Sequence, residues 1–168
     1  MTTHASKRES SDTREIAYRK ARVSDARAIQ DLVNSLADEG QLLKRSLNDI
    51  LENIRDFSVA VAGGAIVGCV ALHVCWDDIA EIRSLAVLPE FRNRGVASRL
   101  VSLCLEEAAG LGVRRVFTLT YIPEFFARLG FERTSKKELP QKIWKDCLNC
   151  VRFPDCDETA LTKTVDGV

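Results

Sequence analysis

The apolar positions of the chain change period several times, and each change marks an element. From Ile16 to Arg22 they alternate, with Ile16, Tyr18 and Lys20 on one face, which predicts a strand. Ser24 then stands where it can cap a helix whose Ile29, Leu32, Val33 and Leu36 recur at helical spacing. Glu39 to Arg45 reads as a loop. A second helix is expected from Ser46, with Asp49 as a capping-box partner and Leu47, Ile50, Leu51 and Ile54 as its stripe. Phe57 to Cys75 is almost uncharged and nearly long enough to cross a membrane. Gly63-Gly64 splits it into two Val/Ala/Ile-rich runs, however, and Asp56, Asp77 and Asp78 bracket it without basic anchors, so a hairpin of two buried strands is expected.

Farther on, Ile79 to Leu88 predicts a strand stopped by Pro89, and Val96 to Leu111 a helix ended by glycines. Val116 to Thr120 is the next strand. Pro123 opens a short helix carrying Phe125, Phe126 and Leu129 and closed by Gly130. Phe131 to Thr134 and Thr159 to Val165 complete the strands. Strands and helices in this order imply a mixed α+β or α/β sheet with helices on its faces.

Composition narrows the function classes without naming one. A chain of 168 residues fits one domain, and 46% apolar with 29% charged residues is ordinary for a globular protein. Lys plus Arg and Asp plus Glu balance at 24 each, so no global field draws in nucleic acid or an anionic membrane. Residues 1–15 are polar, lack the apolar core of a signal peptide and read as a disordered lead-in to a domain over 16–168. The absence of a secretion signal and six unevenly spaced cysteines point to a reducing cytoplasm.

Chemistry concentrates in Arg92-Asn93-Arg94-Gly95-Val96-Ala97, between a strand and a helix. Glycine lets the backbone approach a ligand, the helix start turns N–H groups and partial positive charge outward, and two arginines add full charge. Such a loop can cradle a diphosphate, although a basic turn before a helix is also an ordinary solvated cap. It lacks the Gly-Lys-Ser/Thr of a nucleotide-binding P-loop and the glycine triplet of a dinucleotide fold.

Here the chain resembles the GNAT acetyltransferases, whose signature Arg/Gln-x-x-Gly-x-Gly/Ala is matched by Arg92, Gly95 and Ala97. Glu81 to Pro89 resembles the strand that precedes the signature in that family, and Phe125-Phe126-Ala127-Arg128-Leu129-Gly130-Phe131 resembles its last short helix. The resemblance covers roughly Ile16 to Thr134. It implies a V-shaped, mostly antiparallel sheet splayed between its fourth and fifth strands, with acetyl-CoA in the split. The pyrophosphate would take the amides of Arg92, Asn93, Arg94, Gly95, Val96 and Ala97, and the pantetheine arm would pair with the strand edge at Leu85, Ala86 and Val87. A backbone N–H there would polarise the acetyl carbonyl.

Within that frame Glu81 is the candidate base; its other reading is a strand carboxylate paired with Arg83 on the same face. Phe126, counted among the cofactor-binding residues, stands where many family members keep an acidic tyrosine. Tyr121 is the nearest substitute, and a half-buried core aromatic is its other reading. The segment Glu39 to Ser46 is similar to one in the acetyltransferase domain of N-acetylglutamate synthases. Glu138-Leu139-Pro140-Gln141-Lys142-Ile143-Trp144, and Cys147 to Cys150 running on to Glu158, resemble the short single-domain synthases of arginine biosynthesis. This implies L-glutamate as acceptor, with Arg45, Arg83 and Lys142 as candidate ligands. The other reading of Arg45 is a solvated charge before a helix cap, where its sign is unfavourable. Another small amine, a protein amine, or acyl-CoA binding without turnover are the alternatives.

Cys69, Cys75 and Cys104 fall in apolar patterns and read as packing. Cys147, Cys150 and Cys156 could bind zinc, but a structural site wants four ligands and no fourth is evident, so thiols without metal are the expectation. The partner expected is a small amino acid, with no nucleic acid and no membrane. A homodimer stays open.

Overall fold

The computed structural model describes residues 14–139 and 157–166. Among these, seven strands form one sheet in the order β1-β2-β3-β4-β5-β7-β6. β1 (Ile16–Lys20), β2 (Phe57–Ala62), β3 (Ala65–Val74) and β4 (Ile79–Val87) run antiparallel to one another. β5 (Arg115–Thr120) lies parallel to β4, and β7 (Thr159–Thr164) and the two-residue β6 (Glu132–Arg133) continue antiparallel beyond it. Gly63 and Gly64, at φ 57° and 80°, make the turn between β2 and β3 that divides the long uncharged run. No helix among the described residues is long and apolar enough to cross a membrane.

Helices cover both faces. α3 (Val96–Gly110) buries Val96, Leu100, Val101, Cys104 and Ala108 against Val70, Leu72, Ala80, Ile82 and Val116 on one face. α1 (Ala26–Asp38) and α2 (Leu47–Glu52) bury Ile29, Leu32, Val33, Leu36 and Ile50 against Val59, Cys69 and Ala71 on the other. α4 (Pro123–Arg128) follows β5. Cys69 and Cys104 are core thiols, as their apolar surroundings predict, and burial pushes both up to about 12.

Two helix starts differ from their sequence reading. Ser24 is not a cap: it lies in a 3₁₀ turn (Val23–Asp25), and the neighbouring acid organises the corner instead. The Asp25 carboxylate accepts from the Arg22 N–H at 2.7 Å and from both terminal nitrogens of Arg19 at 2.7 and 3.1 Å. A charged acceptor with a forked donor outcompetes a hydroxyl for this role. At α2 the cap is formed by half of the expected pair. Ser46 Oγ accepts from the Asp49 N–H at 3.1 Å, whereas the Asp49 carboxylate accepts from Arg45 Nη1 at 3.2 Å and Asn53 Nδ2 at 3.3 Å. Ile54 falls beyond α2, in a second 3₁₀ turn (Ile54–Asp56).

The Arg19 hydrogen bonds, with the Arg22 amide behind them, hold the Asp25 carboxyl below its ordinary value. A depressed folded value means that the contribution is complete above the unfolded carboxyl value of about 3.9 and is lost as pH falls through the folded one. Asp25→Ala should therefore cost about 1.5–3 kcal/mol at pH 7, the worth of a hydrogen bond to a charged group. Urea unfolding of both proteins at pH 7 and at about pH 3 checks this, with the gap between them narrowing at the lower pH.

Candidate functional site

The site begins where β4 and β5 part. Their parallel pairing joins Ile79 to Arg115, Ala80 to Val116 and Glu81 to Phe117, and stops there. The next exposed acceptor is met by a side chain: the buried Thr118 hydroxyl donates to the Ile82 carbonyl at 3.0 Å. Beyond it β4 carries a bulge, in which Ser84 and Leu85 stand opposite Val70 alone, between the pairs Ala71–Arg83 and Cys69–Ala86. Ser84 adopts φ 55°, a left-handed backbone that costs about 1–3 kcal/mol in a residue with a side chain and re-aims the neighbouring amides. The edge of β4 at Leu85, Ala86 and Val87 thus faces the gap without β5 as a partner, as the splayed sheet predicts.

After Pro89 the chain forms a 3₁₀ turn (Pro89–Phe91) and then the basic loop. Asn93 at φ 59° and Gly95 at φ 78° flank Arg94 with two left-handed residues, and Gly95 is the residue before α3. The first helical bond runs from the Arg99 N–H to the Gly95 carbonyl at 3.0 Å, so the amides of Val96, Ala97 and Ser98 point out of the helix end. The guanidinium of Arg94 stacks on the buried Phe91 ring at 4.9 Å, with that of Arg14 at 5.7 Å. One donor drops out of the expected set. The Arg92 amide closes the 3₁₀ turn on the Pro89 carbonyl at 3.2 Å, and its Nε reaches the Val87 carbonyl at 3.4 Å. The Arg92 amide is therefore already used within the turn.

On the face of β4 covered by α1, Glu81 and Arg83 sit side by side, with 16% and 10% of their side chains exposed and 3.9 Å between charged atoms. Both of the readings of Glu81 thus meet in one place, since a carboxylate paired with Arg83 also lies beside the split. Arg45 is held by its backbone: Asn34 accepts from its N–H at 2.9 Å and donates to its carbonyl at 3.2 Å, and Gln30 donates to the same carbonyl at 3.3 Å. Its guanidinium is mostly buried beside Asp49, which offsets the unfavourable sign of a cation at a helix start. Lys142 lies outside the described residues.

Tyr121 follows directly on β5, the strand beyond the split. Its hydroxyl donates to Asp157 at 2.6 Å. Phe126 is 2% exposed and packs edge-on against Phe125 and Phe131 at 5.1 and 5.3 Å, within the core. Among the described residues no group of three His, Cys, Asp or Glu side chains is placed to hold a metal. Cys147, Cys150 and Cys156 lie outside those residues.

Three features escaped the sequence pattern: the Thr118 hydroxyl, the Ser84 bulge, and a hydrogen bond between His73 Nδ1 and Asp56 at 2.7 Å on the same face as Glu81. Each joins residues far apart in the chain or depends on register, and no local period signals it.

Residues 26–131 match the model of the acetyltransferase (GNAT) family. The chain belongs to the GNAT acetyltransferases. An uncharacterized N-acetyltransferase of Chlorobaculum tepidum is 46% identical over 147 residues, covering 88% of this chain and 95% of its own length. An amino-acid acetyltransferase of Mycobacterium tuberculosis is 43% identical over 116 residues, covering 67% of this chain and 66% of its own. Among solved structures, the N-acetylglutamate synthase of Neisseria gonorrhoeae complexed with coenzyme A and N-acetyl-glutamate superposes with a TM-score of 0.83 at 31% identity. That match covers 90% of this chain but only 35% of the synthase chain.

A Cβ built on Gly95 meets no atom within 4 Å, so its requirement is conformational rather than steric in the ligand-free protein. Gly95→Ala should cost about 1–2 kcal/mol of stability, the left-handed penalty. Gly95→Asn should cost less, because Asn tolerates this region. Parallel thermal melts of the three proteins test the ordering.

Proposed function

We propose that the protein transfers the acetyl group of acetyl-CoA to the α-amine of L-glutamate, the reaction that opens arginine biosynthesis. The observation that carries this reading is the meeting, at one break in the sheet, of an unpaired bulged strand edge, a basic helix-start loop and the Glu81–Arg83 pair. Relatives named amino-acid acetyltransferase, and a neighbour solved with N-acetyl-glutamate, support an amino acid as acceptor.

The residues fit such a pair of substrates. Asn93 to Ala97 supply N–H groups and Arg92 and Arg94 supply charge for the pyrophosphate. Leu85 to Val87 take the amide-bearing arm as an added strand. A backbone N–H at the bulge faces the acetyl carbonyl oxygen, where negative charge develops as the tetrahedral intermediate forms. Arg45 grips a carboxylate of glutamate with its fork and Arg83 adds positive charge on the Glu81 side; Lys142 joins them as a further candidate.

Glu81 works as the base. A free α-amine has a pKa of about 7.7–8.0, so at neutral pH most of it is protonated and cannot attack. Glu81 accepts that proton, directly or through a water, and the neutral nitrogen then adds to the carbonyl carbon. The C–N bond forms and the C–S bond breaks; coenzyme A leaves as a thiolate, and the second proton of the now cationic nitrogen passes to that sulfur, so the products are the amide and the thiol. A thiol pKa near 8.5 makes that leaving group a weak base, so it needs little help from an acid. Tyr121, whose hydroxyl donates to Asp157, is our candidate to hand that proton to the sulfur.

Three measurements follow. Acetyl-CoA, but not ATP, should raise the melting temperature, by an amount equivalent to about 2.7 kcal/mol at a hundredfold excess over Kd; no shift with any acyl-CoA removes the cofactor assignment. Glu81→Gln should bind acetyl-CoA and lose about 10²–10⁴-fold in turnover at pH 7, recovering partly as rising pH deprotonates the amine. Retention of activity within threefold would leave Glu81 as a charge partner of Arg83. Arg45→Ala should lower kcat/KM for glutamate by about ten- to a hundredfold with little change in the KM for acetyl-CoA, and Arg45→Lys should recover little. A wild-type preference for an amine without a carboxylate would remove glutamate as the acceptor.

A further inference from the structure

The proton that Glu81 removes has to leave a site where only 16% of the Glu81 side chain is exposed. His73 lies directly opposite Glu81 in the β3–β4 ladder, and directly opposed residues on one face hold their Cβ atoms about 4.5–5.5 Å apart. Its Nδ1 is 2.7 Å from Asp56 Oδ2, and the two side chains are 32% and 26% exposed. Asp56, His73, Glu81 and Arg83 therefore form a row of ionisable groups across three adjacent segments, running from the solvated side of the sheet towards the split. The groups facing His73 are Asp56 from the 3₁₀ turn before β2 and Glu81 and Arg83 from β4; on its own strand the Cys75 thiol donates to the His73 carbonyl at 3.4 Å.

We propose that His73, oriented by Asp56, is the proton exit of the site, returning the proton taken by Glu81 to solvent. The inference rests on Glu81 acting as base. An ionised carboxylate only accepts, so the short contact to Asp56 places the Nδ1 proton between them and leaves Nε2 with its lone pair. Glu81 passes its proton to Nε2, directly or through one water. The imidazolium then releases a proton to bulk water. Glu81 returns to carboxylate and His73 to neutral imidazole, so each turnover moves one proton outward. Asp56 acts through His73 and is a positioning residue. A purely structural tie between the 3₁₀ turn and β3 would need only the hydrogen bond, whereas the relay needs the bond in one sense.

That difference supplies the test. His73→Asn keeps a side-chain donor towards Asp56 but has no group that exchanges protons. Asp56→Asn keeps a hydrogen bond to Nδ1 but can supply it as a donor, which selects the wrong tautomer. Both variants should melt near wild type. In dilute, bulky buffer at pH 7 each should lose about tenfold or more in kcat, at the low end of general acid–base effects, with little change in either KM. Added imidazole should restore His73→Asn and leave wild type unchanged. Wild-type kcat in both variants, or a loss that imidazole does not reverse, overturns the relay. Should His73→Asn fail to fold, the kcat of Asp56→Asn decides alone. Glu81→Gln run alongside separates the two readings: an active Glu81→Gln removes the base, while an inactive one beside unaffected His73 and Asp56 variants removes the relay only.

Discussion

Everything at the centre of this molecule depends on how two parallel strands come apart without leaving buried polar groups unmet. β4 and β5 share three residue pairs and then diverge, and an unpaired backbone carbonyl at that depth would cost about 1–3 kcal/mol. Thr118 meets the Ile82 carbonyl with its hydroxyl, so the break is closed at its apex and open beyond it. The bulge at Ser84 then turns the edge of β4 while the β3 side keeps pairing through Ala86 and Val87. One edge of a central strand is thereby free to bond a ligand while the other stays anchored in the sheet.

The two faces of β4 divide the work. α3 seals one face with aliphatic side chains and brings its amino-terminal turn, with Gly95 and the arginines, to the end of the opening. The other face carries the charged row of Glu81, Arg83 and His73, under the helices that present Arg45. A coenzyme bound by backbone and an acceptor bound by side chains would thus approach the break from different sides.

Charges in the described part of the chain are organised locally rather than spread as a field, in keeping with a net formal charge of zero. Asp25 fixes the entry to α1 through Arg19 and Arg22, Asp49 balances Arg45, and Asp56 orients His73. Each acid sits at an element boundary, where helix and strand ladders leave donors over.

Periodicity, glycine pairs and the prolines placed most elements within a few residues, because these signals act through neighbours in the chain. Gly63-Gly64, Pro89 and Pro123 set their turns and starts by backbone geometry alone, and the loop around Gly95 was legible through the helix start that follows it. Tertiary structure decided the rest. Asp25 replaced Ser24 because an arginine from β1 reaches it, and Phe126 became core because Phe125 and Phe131 close around it. Thr118 serves Ile82, and His73 meets Asp56 and Glu81, only once strands distant in sequence adopt one register. Local sequence determines which residues can form a strand, but which side chains meet across strands depends on alignment, and that alignment is fixed by packing of the whole sheet.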